Sequence, residues 1–122
     1  MSKILIVEDD TVLVDAYKSL FAKEGLDVIS SVTGQEALAK VKNERPDLIL
    51  LDIMLPGGMN GFDVLEILKR FEDTKNIPVL VMTNLDAEEE VAKKIGAEDY
   101  FVKVNTPVDE VVRRVKGRLS KA

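Results

Sequence analysis

A chain of 122 residues has room for one domain whose core needs no covalent staples. It has no cysteine and no histidine, which excludes disulfides, thiolate metal sites, a cysteine nucleophile and imidazole chemistry. Its net charge of −5 argues against a nucleic-acid surface, and its 46% hydrophobic and 32% charged residues are those of a soluble globular protein.

In chain order, Ile4–Val7 is a short apolar, β-branched run that predicts a strand, and it leads into Glu8, Asp9 and Asp10. Asp10 reads as a helix N-cap or first-turn acid. Leu13, Ala16, Tyr17, Leu20 and Phe21 follow helical spacing, with Gly25 placed to end that helix. Val28–Val32 predicts the second strand. Thr33 with Glu36 forms a capping box that opens a weaker helix at about Gln35–Lys42. Pro46 precedes a third strand, Leu48–Leu51, which runs into Asp52. After the loop "PGGMNG", Val64, Ile67, Leu68 and Phe71 predict the third helix. Pro78 precedes the fourth strand, Val79–Met82, which ends at Thr83. A second weak helix fits Asp86–Ile95, stopped by Gly96, before a fifth strand, Tyr100–Val102, that meets Lys103. Pro107 opens the last helix on Val108, Val111, Val112, Val115 and Leu119. Its acids come early (Asp109, Glu110) and its bases late (Arg113, Arg114, Lys116, Arg118), as the helix dipole favours.

Strict alternation of apolar strands with helices predicts a doubly wound, five-stranded parallel sheet with five helices, in which function lies beyond the carboxyl ends of the strands. Nothing reads as a linker, repeat or low-complexity stretch, so residues 1–122 are expected to form one domain. No run approaches the length of a membrane span, and the N-terminus lacks the pattern of a signal peptide. A cytoplasmic location with no membrane contact is expected.

The fold rule sends Glu8, Asp9, Asp10, Asp52, Thr83 and Lys103 to one edge. Taken singly, each has an ordinary reading, since any buried strand turns polar where it surfaces. Lys103 alone is a solvated strand-end lysine, and Tyr100 alone an edge-strand aromatic with its hydroxyl in water. Met54, Met59 and Met82 read as packing or loop residues. The joint set is harder to dismiss. Carboxylates roughly 5 Å apart repel by about 3 kcal/mol per pair at an effective dielectric near 20. Such convergence calls for a cation or a shared proton, and an oxygen-only donor set suits Mg²⁺. A metal and the Lys103 and Thr83 donors would neutralise charge on a phosphoryl group passing to a carboxylate.

The segments "KILIVEDD", "PDLILLDIMLPGGMNGFDVL", "VLVMTNL" and "GAEDYFVK" together resemble the receiver (CheY-like) domain of bacterial two-component response regulators over essentially the whole chain. The resemblance implies the flavodoxin-like strand order 2-1-3-4-5. It implies that Asp52 is the phosphoacceptor, supplied by a sensor histidine kinase. Asp9 would ligate Mg²⁺ directly and Glu8 through water, with Asp52 and the backbone carbonyl of Met54 completing the protein ligands. Thr83 would be the switch hydroxyl and Tyr100 the switch aromatic, Lys103 would pair with phosphoryl oxygens, and the backbone N–H of Asn84 would also reach them. Output through the face formed by the fourth helix, fifth strand and fifth helix, to an unknown downstream protein, is implied as well.

Four features depart from that family's usual pattern. Val104 stands where proline usually follows the lysine, so a trans peptide is expected. The loop "PGGMNG" carries one extra residue, which predicts a more mobile acceptor loop. The stretch from Thr83 to Tyr100 is about two residues short, which predicts a short fourth helix. Asp99, Asp109 and Arg113 resemble part of a charge set that pairs two receivers, yet Glu88, Glu89 and Glu90 stand where a base is expected, with Lys93 or Lys94 as substitutes. A monomer or weak dimer is expected. Two other functions compete. A Mg²⁺-dependent aspartyl-phosphate phosphohydrolase would want a second acid where Met54 stands, and a flavin-binding electron carrier would want a hydroxyl- and glycine-rich loop in place of "EDDTV".

Overall fold

The computed structural model describes residues 2–121, so the end residues Met1 and Ala122 of the expected 1–122 domain lie outside the described residues. Strands and helices alternate: β1 (Lys3–Val7), α1 (Thr11–Lys23), β2 (Asp27–Ser31), α2 (Gly34–Glu44), β3 (Leu48–Leu51), α3 (Gly61–Arg70), β4 (Val79–Thr83), α4 (Glu89–Ile95), β5 (Asp99–Val102) and α5 (Val108–Leu119). All strand pairings are parallel, in the order β2-β1-β3-β4-β5. The doubly wound architecture expected from the alternation is the one observed.

Period-2 alternation divides the sheet into two apolar faces. Leu5, Val7, Ile49, Leu51, Val79, Val81 and Tyr100 pack on one side with residues of α2, α3 and α4. Ile4, Ile6, Leu48, Leu50, Leu80, Met82 and Phe101 pack on the other with Tyr17 and Phe21 of α1 and Val111 and Val115 of α5. Because both faces are covered, the central strands are apolar at every position but the first of β1 and the last of β4, which is why they read as continuous runs. No described helix is long and apolar enough to cross a membrane.

Local signals set most boundaries. Asp10 caps α1, accepting from the N–H groups of Val12 and Leu13 at 3.1 and 3.2 Å. Gly25 (φ 76°) follows the helix end, and Gly96 (φ 138°) ends α4. Four expectations need correction. β2 spans Asp27–Ser31 rather than Val28–Val32, because the Val32 N–H is taken by the Glu36 carboxylate at 3.2 Å and leaves the ladder. The capping box of α2 is therefore altered: Thr33 accepts from the Glu36 N–H, but Glu36 reaches one residue further back than expected. α4 begins at Glu89, three residues later than Asp86, since no side chain caps its start. Phe71 does not belong to the buried face of α3. It has extended backbone, is 52% exposed, and follows a helix end where the Thr74 hydroxyl donates to the Leu68 carbonyl at 2.7 Å.

The fold also contains a short 3₁₀ turn, Lys103–Asn105, between β5 and α5, which the apolar pattern did not suggest. No cis peptide occurs among the described residues, in keeping with the trans bond expected before Val104.

Candidate functional site

Strand register brings the acids together. β1 and β3 pair as far as Val7 and Leu51, so Glu8 and Asp52 are the next residues on neighbouring strands. Backbone bonds hold these ends in place: the Asp52 N–H donates to the Val7 carbonyl and the Glu8 N–H to the Ser31 carbonyl, each at 3.0 Å. Glu8 and Asp52 are buried, at 1% and 3% exposure, while Asp9 is open to solvent. One carboxylate oxygen from each of Glu8, Asp9 and Asp52 lies within 4.8 Å of the others. Asp10 takes no part in this group, because its carboxylate caps α1.

Lys103 enters the same site from β5. Its ammonium donates to Asp52 Oδ2 at 2.8 Å and is ion-paired with Glu8 Oε1. Three carboxylates against one ammonium leave a formal local charge of −2 when all are ionised. Burial pushes the Glu8 carboxyl above its ordinary range, against the opposing pull of Lys103 and of the Asp10 N–H, which donates to Glu8 Oε2. Burial also works against the Lys103 ammonium, but its bonds and attraction to Asp52 and Glu8 win, and its pKa is raised. The free oxygen Asp52 Oδ1 accepts from the Met54 N–H at 3.1 Å, while the Met54 side chain is 59% exposed beside the site. Met59 is partly buried against the core and Met82 is within it, so neither joins the site.

The close approach of α3 depends on Gly61. A Cβ there would lie 2.3 Å from the Asp52 carbonyl oxygen and 2.6 Å from the Ile53 Cα, both backbone atoms that cannot yield cheaply. The Gly61 N–H donates to the Ile53 carbonyl at 2.8 Å. Before it, Gly57 and Gly58 both take left-handed backbone, and Gln35 of α2 donates to the Gly57 carbonyl at 2.9 Å. The longer acceptor loop is thus tied to α2 through Gln35.

Thr83 and Tyr100, on the paired strands β4 and β5, are linked through one residue. Thr83 is fully buried, and its hydroxyl accepts from the Leu85 N–H at 3.5 Å. The Tyr100 ring is buried and its hydroxyl donates to the Leu85 carbonyl, so the solvated-edge reading of Tyr100 does not hold. Both polar groups of Leu85 therefore answer to the two residues singled out as a switch pair.

Several contacts escaped the sequence reading. Asn84 bonds through its side chain: its Oδ1 accepts from the Val104 N–H at 3.1 Å, joining the loop after β4 to the turn after β5. Part of the signal was available, since Val104 departs from the family's pattern, but its pairing with Asn84 needs three dimensions. Gly61 carried no signal beyond being one of several loop glycines. Asp99 is bound within its own chain by Arg114, at 2.8 Å, with the guanidinium also 5.1 Å from the Phe101 ring centre. Arg113 is highly exposed, and its nearest acid is Glu110 at 3.9 Å.

Comparisons with known proteins agree with this geometry. The chain matches the response regulator receiver domain family over residues 4–116. It is 37% identical over 123 residues to the alkaline phosphatase synthesis transcriptional regulatory protein PhoP of Bacillus subtilis, a match covering 98% of this chain and 49% of that protein. The chain thus spans about half the length of this relative. It is 36% identical to protein PilH of Pseudomonas aeruginosa, covering 90% of this chain and 89% of PilH. Among solved structures, the BeF3-activated N-terminal receiver domain of RstA from Klebsiella pneumoniae superposes with a TM-score of 0.86 at 32% identity, covering 97% of this chain and 98% of that one. The strand order, the convergent acids and these matches lead to one conclusion: the chain belongs to the response regulator receiver domain family, the phosphoacceptor signalling domain of two-component systems.

Proposed function

We propose that Asp52 is the phosphoacceptor of this receiver, that Mg²⁺ is its cofactor, and that a sensor histidine kinase is its phosphoryl donor. The single observation that carries the reading is the gathering of Glu8, Asp9 and Asp52 within 4.8 Å of one another, with Lys103 the one base paired with them among the described residues. A purely structural cluster would not keep an excess of negative charge at the mouth of a sheet, where each uncompensated pair costs about 3 kcal/mol at roughly 5 Å.

The donor set fits a hard cation. It is made of oxygen, it is strongly acidic, and one member, Asp9, is open to water, which suits an ion that keeps part of its hydration. Asp9 and Asp52 would hold it directly, Glu8 through water, and the Met54 carbonyl would complete the protein ligands. When bound, Mg²⁺ supplies positive charge to the oxygens of the transferring phosphoryl group.

The chain's own residues do the rest. A carboxylate oxygen of Asp52 attacks phosphorus in line; the new O–P bond forms as the donor's N–P bond breaks, and the nitrogen leaves with the electron pair. Lys103, held next to Asp52, neutralises charge growing on the phosphoryl oxygens. The Thr83 hydroxyl and the backbone N–H of Asn84 are the further donors. When Thr83 turns to the phosphoryl group it releases the Leu85 N–H, and the Leu85 carbonyl is the acceptor that holds the Tyr100 hydroxyl. Occupancy at Asp52 is thereby passed to β5 and to the α4–β5–α5 face, which meets the downstream protein.

Residues 1–122 act as one cytoplasmic domain that catalyses only its own phosphorylation and dephosphorylation, with no nucleic-acid or membrane contact of its own. Intrachain pairing of Asp99 with Arg114 supports a monomer or weak dimer. The phosphohydrolase alternative is not favoured, because Met54 offers no proton to a leaving group.

The test is to incubate the protein with acetyl phosphate and Mg²⁺ and follow intact mass. One phosphoryl group per chain, absent in Asp52→Asn and absent in a chelator, is expected. Multiple turnover without a trapped adduct, or an adduct that survives Asp52→Asn unchanged, overturns the reading.

A further inference from the structure

We infer that Asn84 is a positioning residue for Lys103, acting through the Val104 N–H. The inference deepens the proposed function and rests on its reading of Asp52 and Lys103.

The β4–β5 ladder ends with Thr83 opposite Val102. Beyond that point the two chains part, one toward α4 and the other into the 3₁₀ turn Lys103–Asn105. Asn84 bridges the gap: its side-chain carbonyl accepts from the Val104 N–H at 3.1 Å, in place of the strand carbonyl that a longer ladder would offer. The turn's other ties close it on its own strand and loop. The Thr106 N–H donates to the Lys103 carbonyl at 3.3 Å, and the Thr106 hydroxyl to the Val102 carbonyl at 2.9 Å. Packing does little to fix the turn, since the Val104 side chain is 77% exposed.

The residue so anchored immediately follows Lys103, whose ammonium must reach Asp52 Oδ2 and Glu8 from a turn at the end of the sheet's edge strand. A backbone shift at Val104 is carried directly into the base of that lysine. The two residues that form the clamp are also complementary in kind: Asn84 supplies an acceptor that an alanine or glycine lacks, and Val104 supplies a donor that a proline lacks. Each makes sense in the presence of the other. The clamp also fastens the turn to the residue next to Thr83, so the lysine and the switch hydroxyl share one support.

The experiment uses the full chain, with acetyl phosphate and Mg²⁺ as probes, and measures the initial rate of Asp52 phosphorylation together with hydrogen exchange of the Val104 amide by NMR. In the unaltered protein that amide is expected to exchange slowly despite its exposed loop. Asn84→Ala is expected to release it and to lower the phosphorylation rate about tenfold, short of the roughly hundredfold that a full 1 Å misplacement can cost. Asn84→Asp keeps an acceptor oxygen, so it restores Val104 protection and is faster than Asn84→Ala. Replacing the Lys103–Val104 amide by an ester removes the donor and leaves the Asn84 side chain intact, and it must reproduce the slow rate whether or not Asn84→Ala folds well. Thr106→Pro, which removes the N–H that the weakened Lys103 carbonyl accepts from, is the control for that second change. Lys103→Ala serves as the reference. An undiminished rate in Lys103→Ala overturns the reading of the lysine and the inference with it. A slow Lys103→Ala beside an unimpaired ester protein overturns the role of Asn84 alone.

Discussion

Glu8 shows at residue scale how the site trades stability for function. It is buried to 1% exposure, and its one compensating charge, Lys103, is shared with Asp52. Burial raises its pKa above the usual 4.5. A raised folded-state value means that the stabilising contribution is full below the unfolded value and is lost as pH rises through the folded one, so near neutrality the ionised Glu8 weakens the fold. Glu8→Gln keeps an acceptor for the Asp10 N–H and removes that burden. Without divalent cation it should gain about 1 kcal/mol in urea unfolding near pH 7, and the gain should shrink as pH falls toward 4. A loss of stability at neutral pH would contradict this account of the site. Lys103 has the opposite role. Lys103→Met strands two buried carboxylates and should cost about 3 kcal/mol under the same conditions, read from the same denaturation curves. The contact behind that difference was legible only in part. Acids and a lysine at strand ends announced the cluster, but which acid the lysine would bind, and that it would bind two, depends on side-chain reach across neighbouring strands.

Among the elements, α3 and its entry matter most to the site. Gly61 lets the helix begin against the Asp52 carbonyl, and all three atoms that a Cβ would strike are backbone. Gly61→Ala should therefore cost about 1–3 kcal/mol by overpacking, and displace Asp52 enough to slow its phosphorylation. Unfolding midpoints together with the acetyl phosphate rate test both halves, and an alanine variant of full stability and rate would show that the approach is not constrained. Elements whose limits are set locally were readable. Asp10, Thr33, Gly25 and Gly96 each mark a boundary because a cap or a left-handed residue acts within a turn of itself. Boundaries decided by competition were not. Val32 looks like a strand residue, yet the Glu36 carboxylate claims its N–H. Phe71 continues the apolar spacing of α3, yet the Thr74 hydroxyl helps close the helix before it. The reciprocal Asn60–Asp63 cap of α3 was present in the sequence and hidden among the loop's glycines.

For the molecule as a whole, the βα alternation fixed the layering, and register then carried residues far apart in sequence to one edge. Lys103 and Asp52 are 51 positions apart and in contact. Strand order was less accessible, because alternation alone does not say which strand lies at the centre; that came from the resemblance and is the order observed. The α4–β5–α5 face was the least legible part. Its charges could have been meant for a second copy, but Arg114 binds Asp99 and Arg118 binds Glu98 inside the chain. In the proposed switch, a path from Asp52 to this face runs through Leu85, which faces the Thr83 hydroxyl with its N–H and the Tyr100 hydroxyl with its carbonyl. The most direct measurement is an NMR titration with Mg²⁺ and beryllium fluoride, a phosphoryl mimic. Saturable shifts at the Leu85 amide and the Tyr100 ring, dependent on both additives and lost in Asp52→Asn, are the predicted result. Binding of the mimic at Asp52 with Leu85 and Tyr100 unmoved would contradict it.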